Sequence, residues 1–195
     1  DDDATIYYTS GSTGKPKGVL SSHRGVISSM FSWACISTIL SEREKRLGND
    51  DTPLASSESS ILLCVPLFHA TVSHVAFLMS ILVGRKVVMM KKWDAGEAIK
   101  LIHEEKISDI TGVPTQTWEL LNHPDRDKYD LSSLKTLGGG GGPRPAKHVK
   151  LLDENFKGRP GIGYGLTETN ALGTLASGDE SVSYTHLTLP TNHPV

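Results

Sequence analysis

Short apolar runs alternate along this chain with longer stretches of helical period, and that alternation leaves few folds open. The run 61–65, Ile-Leu-Leu-Cys-Val, contains no polar residue and is closed by Pro66. A strand with one wet face would alternate in polarity, so this run must be covered on both sides, as parallel strands between helical layers are. A helix is expected over 72–82 and a strand over 86–90. Asp94, followed three residues later by Glu97, has the form of a capping box opening a helix through 105. Strands at 109–113 and 135–137, a helix over 145–155 and a strand over 160–163 continue the pattern. The predicted fold class is α/β: a largely parallel β-sheet flanked by helices, with ligands beyond the carboxyl ends of its strands.

Upstream, 5–8 reads as a strand running into a Ser/Thr/Gly/Lys loop over 9–18. An amphipathic helix is expected over 24–39, with Val26, Ile27, Met30, Phe31 and Ala34 along one side and Ser22 as its N-cap. Residues 42–60 are polar and read as a solvent loop. The net charge is −2, from 20 basic and 22 acidic residues. Bulk electrostatics therefore attract no polyanion, and nucleic acid is not an expected partner. The apolar stretch Val75 to Met79, resuming at Ile81, is too short to span a bilayer. Cys35 and Cys64 stand in apolar surroundings without metal-ligand spacing and read as two buried thiols of a reducing cytoplasm. Asp1-Asp2-Asp3 has the wrong charge to open a signal peptide.

The strongest chemistry lies in Thr9-Ser10-Gly11-Ser12-Thr13-Gly14-Lys15-Pro16-Lys17-Gly18. A triphosphate needs many donors at close range and no bulky side chains between backbone and ligand. Gly11, Gly14 and Gly18 permit that approach, the hydroxyls and amides donate, and Lys15 and Lys17 supply charge. The spacing is neither that of a Walker loop nor G-x-G-x-x-G. By composition alone the segment would read as a polar surface turn that happens to be basic.

The whole string, Y-T-S-G-S-T-G-x-P-K-G, resembles the phosphate loop of the adenylate-forming superfamily. That superfamily comprises acyl-CoA synthetases, firefly-type luciferases and peptide-synthetase adenylation domains. Gly163-Tyr164-Gly165-Leu166-Thr167-Glu168-Thr169-Asn170 resembles the same superfamily's second signature, in the expected order along the chain. The resemblance implies a piece of the large N-terminal domain, with ATP, Mg²⁺ and CoA as co-substrate, and a carboxylic acid as the group activated. It implies that Tyr164 offers an aromatic face to adenine, a contact worth roughly 1–3 kcal/mol. Thr167 would meet the α-phosphate, where charge develops during attack. Glu168 would give Mg²⁺ a hard oxygen ligand. The remaining nucleotide contacts would come from Thr9, Ser10, Gly11, Ser12, Thr13, Gly14, Lys15, Lys17 and Gly165.

The glycine run Gly138 to Gly142 falls where the superfamily has a small-residue loop walling the adenine and acyl sites, so Gly139, Gly140 and Gly141 join the nucleotide candidates. Taken alone, the run reads as a flexible turn. Pro66-Leu67-Phe68-His69 resembles the segment between the nucleotide and acyl pockets, which makes His69 a candidate to orient the acid. A lone histidine beside apolar residues is also a common structural residue. Val113-Pro114-Thr115-Gln116-Thr117-Trp118 resembles a segment whose helix lines the acid pocket, with Trp118 expected in the core. Lys91-Lys92 reads as solvated surface.

T-E-T-N-A together with P-L-F-H is closest to the fatty-acyl or medium-chain branch. The resemblance covers most of 1–180, read as a partial adenylation domain. The tail 181–195 reads as non-family sequence of adapter or vector type. The aspartate that holds ribose, the hinge and the lysine-bearing small domain of the superfamily are not found, nor is its substrate-side N-terminal portion. The chain alone is therefore expected to show negligible turnover, since positioning supplies most of the rate in such chemistry. Robust acid-dependent ATP–pyrophosphate exchange by the purified chain would refute that expectation. Loading of a carrier-protein thiol and a non-catalytic nucleotide-binding fragment are the alternatives.

Overall fold

The structure is a computed structural model, and it describes residues 1–11, 14–46, 48, 57–142, 145–156, 159–171 and 173–177. An antiparallel hairpin comes first, β1 (Asp3–Thr9) and β2 (Lys17–Ser22), followed at once by helix α1 (His23–Arg46). The main sheet has the order β4-β3-β5-β6-β7-β8. Its strands are β3 (Ser60–Leu63), β4 (Lys86–Met89), β5 (Asp109–Gly112), β6 (Thr136–Gly139), β7 (Arg159–Tyr164) and β8 (Thr174–Ser177). Pairings from β4 through β7 are parallel, and β8 closes the edge antiparallel to β7. Four helical connections join them. A π-helical segment, Thr71–Leu78, runs into α2 (Met79–Val83), then follow α3 (Ala95–Glu105), α4 (Pro114–Leu121) and α5 (Ala146–Asn155).

Strand β3 is buried along its whole length, as its unbroken apolar run requires. Alternation then sorts its side chains between two cores. Leu62 and Cys64 join Ile99, Ile102, Ile110, Leu120, Leu137 and Leu152 beneath α3, α4 and α5. Ile61 and Leu63 point the other way, onto Val72 and Ala76 of the π-helical segment. Each such leucine or isoleucine contributes about 1.5–3 kcal/mol on burial, so β3 ties both helical layers to one strand.

The helix starts follow local chemistry. Asp94 accepts from the backbone N–H of Glu97 at 2.8 Å, capping α3. Ser22 Oγ accepts from Gly25 N–H at 3.2 Å, which caps α1 in the same manner. Helix α1 is longer than its periodicity foretold, running to Arg46 into what reads as loop; residues 47 and 49–56 of that stretch lie outside the described residues. Only part of its apolar stripe is covered: Val26 is buried, while Ile27 and Phe31 are exposed. Strands β2 and β8 went unforeseen. Lys17 and Gly18 belong to β2, in register with Thr9 and Tyr8, rather than to a loop running through 18. The loop between β1 and β2 is accordingly shorter.

The two thiols divide, against the expectation that both are buried. Cys35 is exposed on α1 and Cys64 is buried at the end of β3. Burial pushes the Cys64 thiol up to about 12, opposed by its own backbone hydrogen bond. In native protein at pH 8, one thiol should react with an aromatic disulfide reagent within minutes and the second only on unfolding. Rapid titration of both would show that the core beneath α3, α4 and α5 is open to solvent. Among the described residues, no helix is long and apolar enough to cross a membrane.

Candidate functional site

Strands β3 and β5 are neighbours, and the connection after β3 runs outward to β4 while the connection after β5 runs the other way to β6. Crevices open beyond the carboxyl ends of parallel strands at such a point. Four adjacent strand ends line it here. They are Cys64 to His69 after β3, Gly112 to Pro114 after β5, Gly139 to Gly142 at the end of β6, and Tyr164 to Glu168 at the end of β7.

Gln116 pins the first two ends together, a residue with no sequence signal beyond its place in a familiar segment. Its Nε2 donates to the Cys64 carbonyl at 2.9 Å, and its Oε1 accepts from Val113 N–H at 3.0 Å. The amide crosses so close to Gly112 that a Cβ there would lie 2.3 Å from Oε1. Helix α4 then leaves the crevice, with Trp118 edge-on to the His148 ring at 5.1 Å. Trp118 is 44% exposed and does not sit in the core as expected.

The glycine run is ordered backbone, not a free turn. Gly138 and Gly139 pair with Thr111 and Gly112 on one side and with Gly161 and Ile162 on the other. Gly140 N–H donates to the Gly112 carbonyl at 3.2 Å, extending that pairing. A Cβ on Gly140 would lie 3.0 Å from the Gly163 carbonyl oxygen, and Gly141 has a φ of 75°. The floor between β6 and β7 is therefore bare backbone, which a flat ring can approach closely.

Tyr164 ends β7 with 42% of its surface exposed, beside that floor. The chain then turns through a short 3-10 turn, Thr167–Thr169. Thr169 Oγ1 accepts from Leu166 N–H at 3.1 Å and donates to the Leu166 carbonyl at 3.0 Å. Asn170 and Ala171 follow with φ of 52° and 63°, left-handed conformations that non-glycine residues seldom hold. Backbone of this kind persists where surrounding structure enforces it, commonly at binding sites. Within the turn Thr167 is partly exposed and Glu168 exposed. Strand β2 packs against this turn, so the hairpin and the second signature are neighbours.

The tip of the hairpin is closed by Gly11 and Gly14, with φ of 67° and 77°. Gly14 N–H approaches the Gly11 carbonyl at 3.4 Å, and a Cβ on Gly11 would lie 2.3 Å from the Lys15 carbonyl oxygen. Thr9 ends β1, Ser10, Lys15 and Lys17 are exposed, and Ser12 and Thr13 lie outside the described residues, as does the tail 181–195. His69 is exposed in the turn after β3, its ring 4.7 Å from that of Phe68. Its carbonyl accepts from Val72 and Ser73 N–H. Ser73 Oγ in turn accepts from Tyr7 Oη on β1 at 2.6 Å, which binds the hairpin to the His69 segment.

Glu168 is the one carboxylate of this turn and of the β7 strand end. Among the described residues, no cluster of three or more His, Cys, Asp and Glu could hold an ion by itself. A divalent ion at Glu168 would complete its shell with phosphate oxygens and water, the mode Mg²⁺ prefers, so the donor set fits it. Cys64, held protonated by burial at the crevice floor, cannot serve as a thiolate nucleophile.

The sequence model of the AMP-binding enzyme family matches residues 1–193. A feruloyl-CoA synthase from Amycolatopsis sp is 34% identical over 169 residues, 86% of this chain and 31% of the relative. A 4-coumarate–CoA ligase from Humulus lupulus is 30% identical over 170 residues, 86% of this chain and 29% of the relative. Among solved structures, the N-terminal domain of FACL13 from Mycobacterium tuberculosis superposes with a TM-score of 0.76 at 28% identity, covering 94% of this chain and 42% of that one. The o-succinylbenzoate coenzyme A synthetase of Bacillus subtilis, solved with ATP and magnesium ion, gives 0.68 at 26% identity, covering 89% of this chain and 32% of that one. The chain thus spans about a third of the length of the curated relatives it matches.

Proposed function

Because this chain belongs to the AMP-binding enzyme family, whose relatives here are acid–thiol ligases, we propose that it carries the Mg·ATP site of an enzyme activating a carboxylic acid to acyl-AMP and then acyl-CoA. The observation that carries this reading is the packing of β2 against the turn Thr167–Thr169, beside a glycine floor and a half-exposed tyrosine.

In this reading a carboxylate oxygen of the acid attacks the α-phosphorus of ATP. The bond to the bridging oxygen breaks, and pyrophosphate leaves with the electron pair. The CoA thiol, losing its proton, then displaces AMP from the acyl carbon. Ser10, Ser12, Thr13 and Lys17 hold the departing phosphates, and Lys15 adds charge. Tyr164 stacks on adenine over Gly139, Gly140, Gly141 and Gly165. Thr167 stabilises the α-phosphoryl oxygen, where a positioned donor acts only as charge develops. His69 orients the acid's carboxylate at the crevice mouth. Mg²⁺, when bound at Glu168, neutralises phosphate charge. The acid is apolar and fatty in this reading, which the exposed Leu67 and Phe68 beside His69 support.

The test is calorimetric. The chain should bind ATP in a Mg²⁺-dependent manner, and Glu168→Gln should weaken that binding about tenfold or more, since a hydrogen bond or ligand contact to a charged group is worth about 1.5–3 kcal/mol. The circular dichroism spectrum should stay unchanged, because Glu168 is exposed. Equal Mg·ATP affinity in the variant would remove the metal-binding role.

A further inference from the structure

A buried imidazole stands between the hairpin and the second signature without belonging to either. His74 has no exposed surface and lies within the π-helical segment Thr71–Leu78, a geometry that recurs at functional positions. Tyr7 on β1 meets it edge-on, ring centroids 5.5 Å apart. Ser73 Oγ, which accepts the Tyr7 hydroxyl proton at 2.6 Å, lies 3.3 Å from His74 Nδ1. The Ser73 hydroxyl hydrogen is free to serve Nδ1, and in that tautomer the ring proton sits on Nε2.

Nε2 is buried with no hydrogen-bond partner, and so is Asn170 Oδ1. One is a donor wanting an acceptor, the other an acceptor wanting a donor, and leaving either unmet is costly. Burial lowers the His74 pKa and a hydrogen-bonding contact with the Asn170 side chain opposes it, so the two orphaned atoms face each other short of full hydrogen-bond geometry. On its far side the Asn170 amide nitrogen rests on the first turn of α1, where a Cβ on Gly25 would lie 3.3 Å from Nδ2. Asn170 ends the turn that presents Thr167 and Glu168.

We propose that His74 is a positioning residue for that turn: with Mg·ATP seated, its Nε2–H closes onto Asn170 Oδ1 and fixes Thr167 and Glu168 relative to β1. This rests on the reading of the turn as part of a nucleotide site. The relay Tyr7–Ser73–His74–Asn170 then joins the strand that leads into the phosphate loop to the residues that would meet the α-phosphate and the metal.

The experiment measures Mg·ATP dissociation constants and thermal midpoints for the 195-residue chain and four variants: His74→Phe, His74→Gln, Asn170→Gly, and His74→Phe with Asn170→Gly. Phenylalanine keeps the volume and loses the donor, and binding should weaken about tenfold, one hydrogen bond at 1.4 kcal/mol per decade. Glutamine keeps an N–H and should recover most of the affinity. Glycine suits the 52° φ of Asn170, so Asn170→Gly should weaken binding to a similar degree with its midpoint retained. The double variant should be no weaker than the worse single one, because both remove one contact. Should His74→Phe fail to fold, His74→Gln and Asn170→Gly carry the test. Wild-type affinity in Asn170→Gly, or a double variant showing the product of both losses, would overturn the role of His74 alone. Failure of the unaltered chain to bind Mg·ATP would overturn the nucleotide reading, and this inference with it.

Discussion

Gly165→Ala is expected to weaken Mg·ATP binding by about ten- to a hundredfold, the loss of one or two contacts to charged groups at about 1.5–3 kcal/mol each. A Cβ at this position would lie 2.5 Å from the Ala171 carbonyl oxygen and 2.7 Å from its carbonyl carbon. Both are backbone atoms, so no side chain can swing aside. The same crossing is tight from the other strand, where a Cβ on Gly173 would lie 2.1 Å from the Tyr164 carbonyl oxygen. The backbone between Tyr164 and Ala171 must open to admit the methyl group. That stretch carries Thr167 and Glu168, and it is closed by the Ala171 N–H bond to Leu166 at 2.9 Å. Gly96→Ala is the control: it lies on α3, outside the strand ends that line the crevice, and the nearest atom to its Cβ would be His123 Nε2 at 3.2 Å, the far end of a side chain that can move. Isothermal titration of both variants decides the matter. Equal affinities for the two would mean that the turn yields freely and its geometry does not govern nucleotide binding.

How much of this architecture could be read beforehand depends on how local its causes are. The apolar run at β3 and the Asp94 cap of α3 act through nearest neighbours and the period of burial, and both emerged where the sequence put them. Strand β8 has no such signature. Its edge place depends on the left-handed pair Asn170 and Ala171 and on the glycines that let it fold back upon β7. Likewise β2 is polar and glycine-bearing, so its pairing with β1 could not be told from a continuing loop.

Candidate-site residues divide along the same line. Glycines 139 to 141 and Tyr164 lie at strand ends, where fold class alone would put them, and pairing across β6 and β7 brings them together. Gln116 was invisible as a bridge, because its two partners, Cys64 and Val113, become neighbours only when β3 and β5 pair. Trp118 misled for the opposite reason. Its size favours burial, but its place on α4 turns the indole to a half-exposed edge beside His148. Cys35 misled as well: the apolar residues around it on α1 include exposed ones, such as Phe31 and Ile39.

The largest stability loss is expected at the opposite end of β5, from Asp109→Leu. Asp109 is buried, accepts from Ser108 Oγ at 2.5 Å, and accepts also from Thr136 Oγ1. Leucine would strand the Thr136 hydroxyl, at about 1–3 kcal/mol, whereas Ser108 Oγ keeps the Ser60 carbonyl at 3.0 Å and the Ser60 N–H at 2.9 Å as partners. That cost is a large share of a total near 5–15 kcal/mol, so a drop of several degrees in thermal midpoint should follow. Two influences on the carboxyl have opposite signs. Burial raises its pKa and is the largest, while the Ser108 and Thr136 hydrogen bonds and the charges of Arg85 and Lys135 lower it. With burial dominant, the folded value lies above the unfolded one. The carboxyl's contribution is then complete below the unfolded carboxylate pKa, about 4, and declines as pH rises through the raised folded value. The cost of Asp109→Leu should therefore be greatest at acid pH and shrink toward neutrality. Were attraction to Arg85 and Lys135 the stronger influence, the cost would instead grow with pH. Urea melts of both proteins at several pH values separate the two, and a growing cost would show that β5 is anchored by charge and not by its hydroxyls.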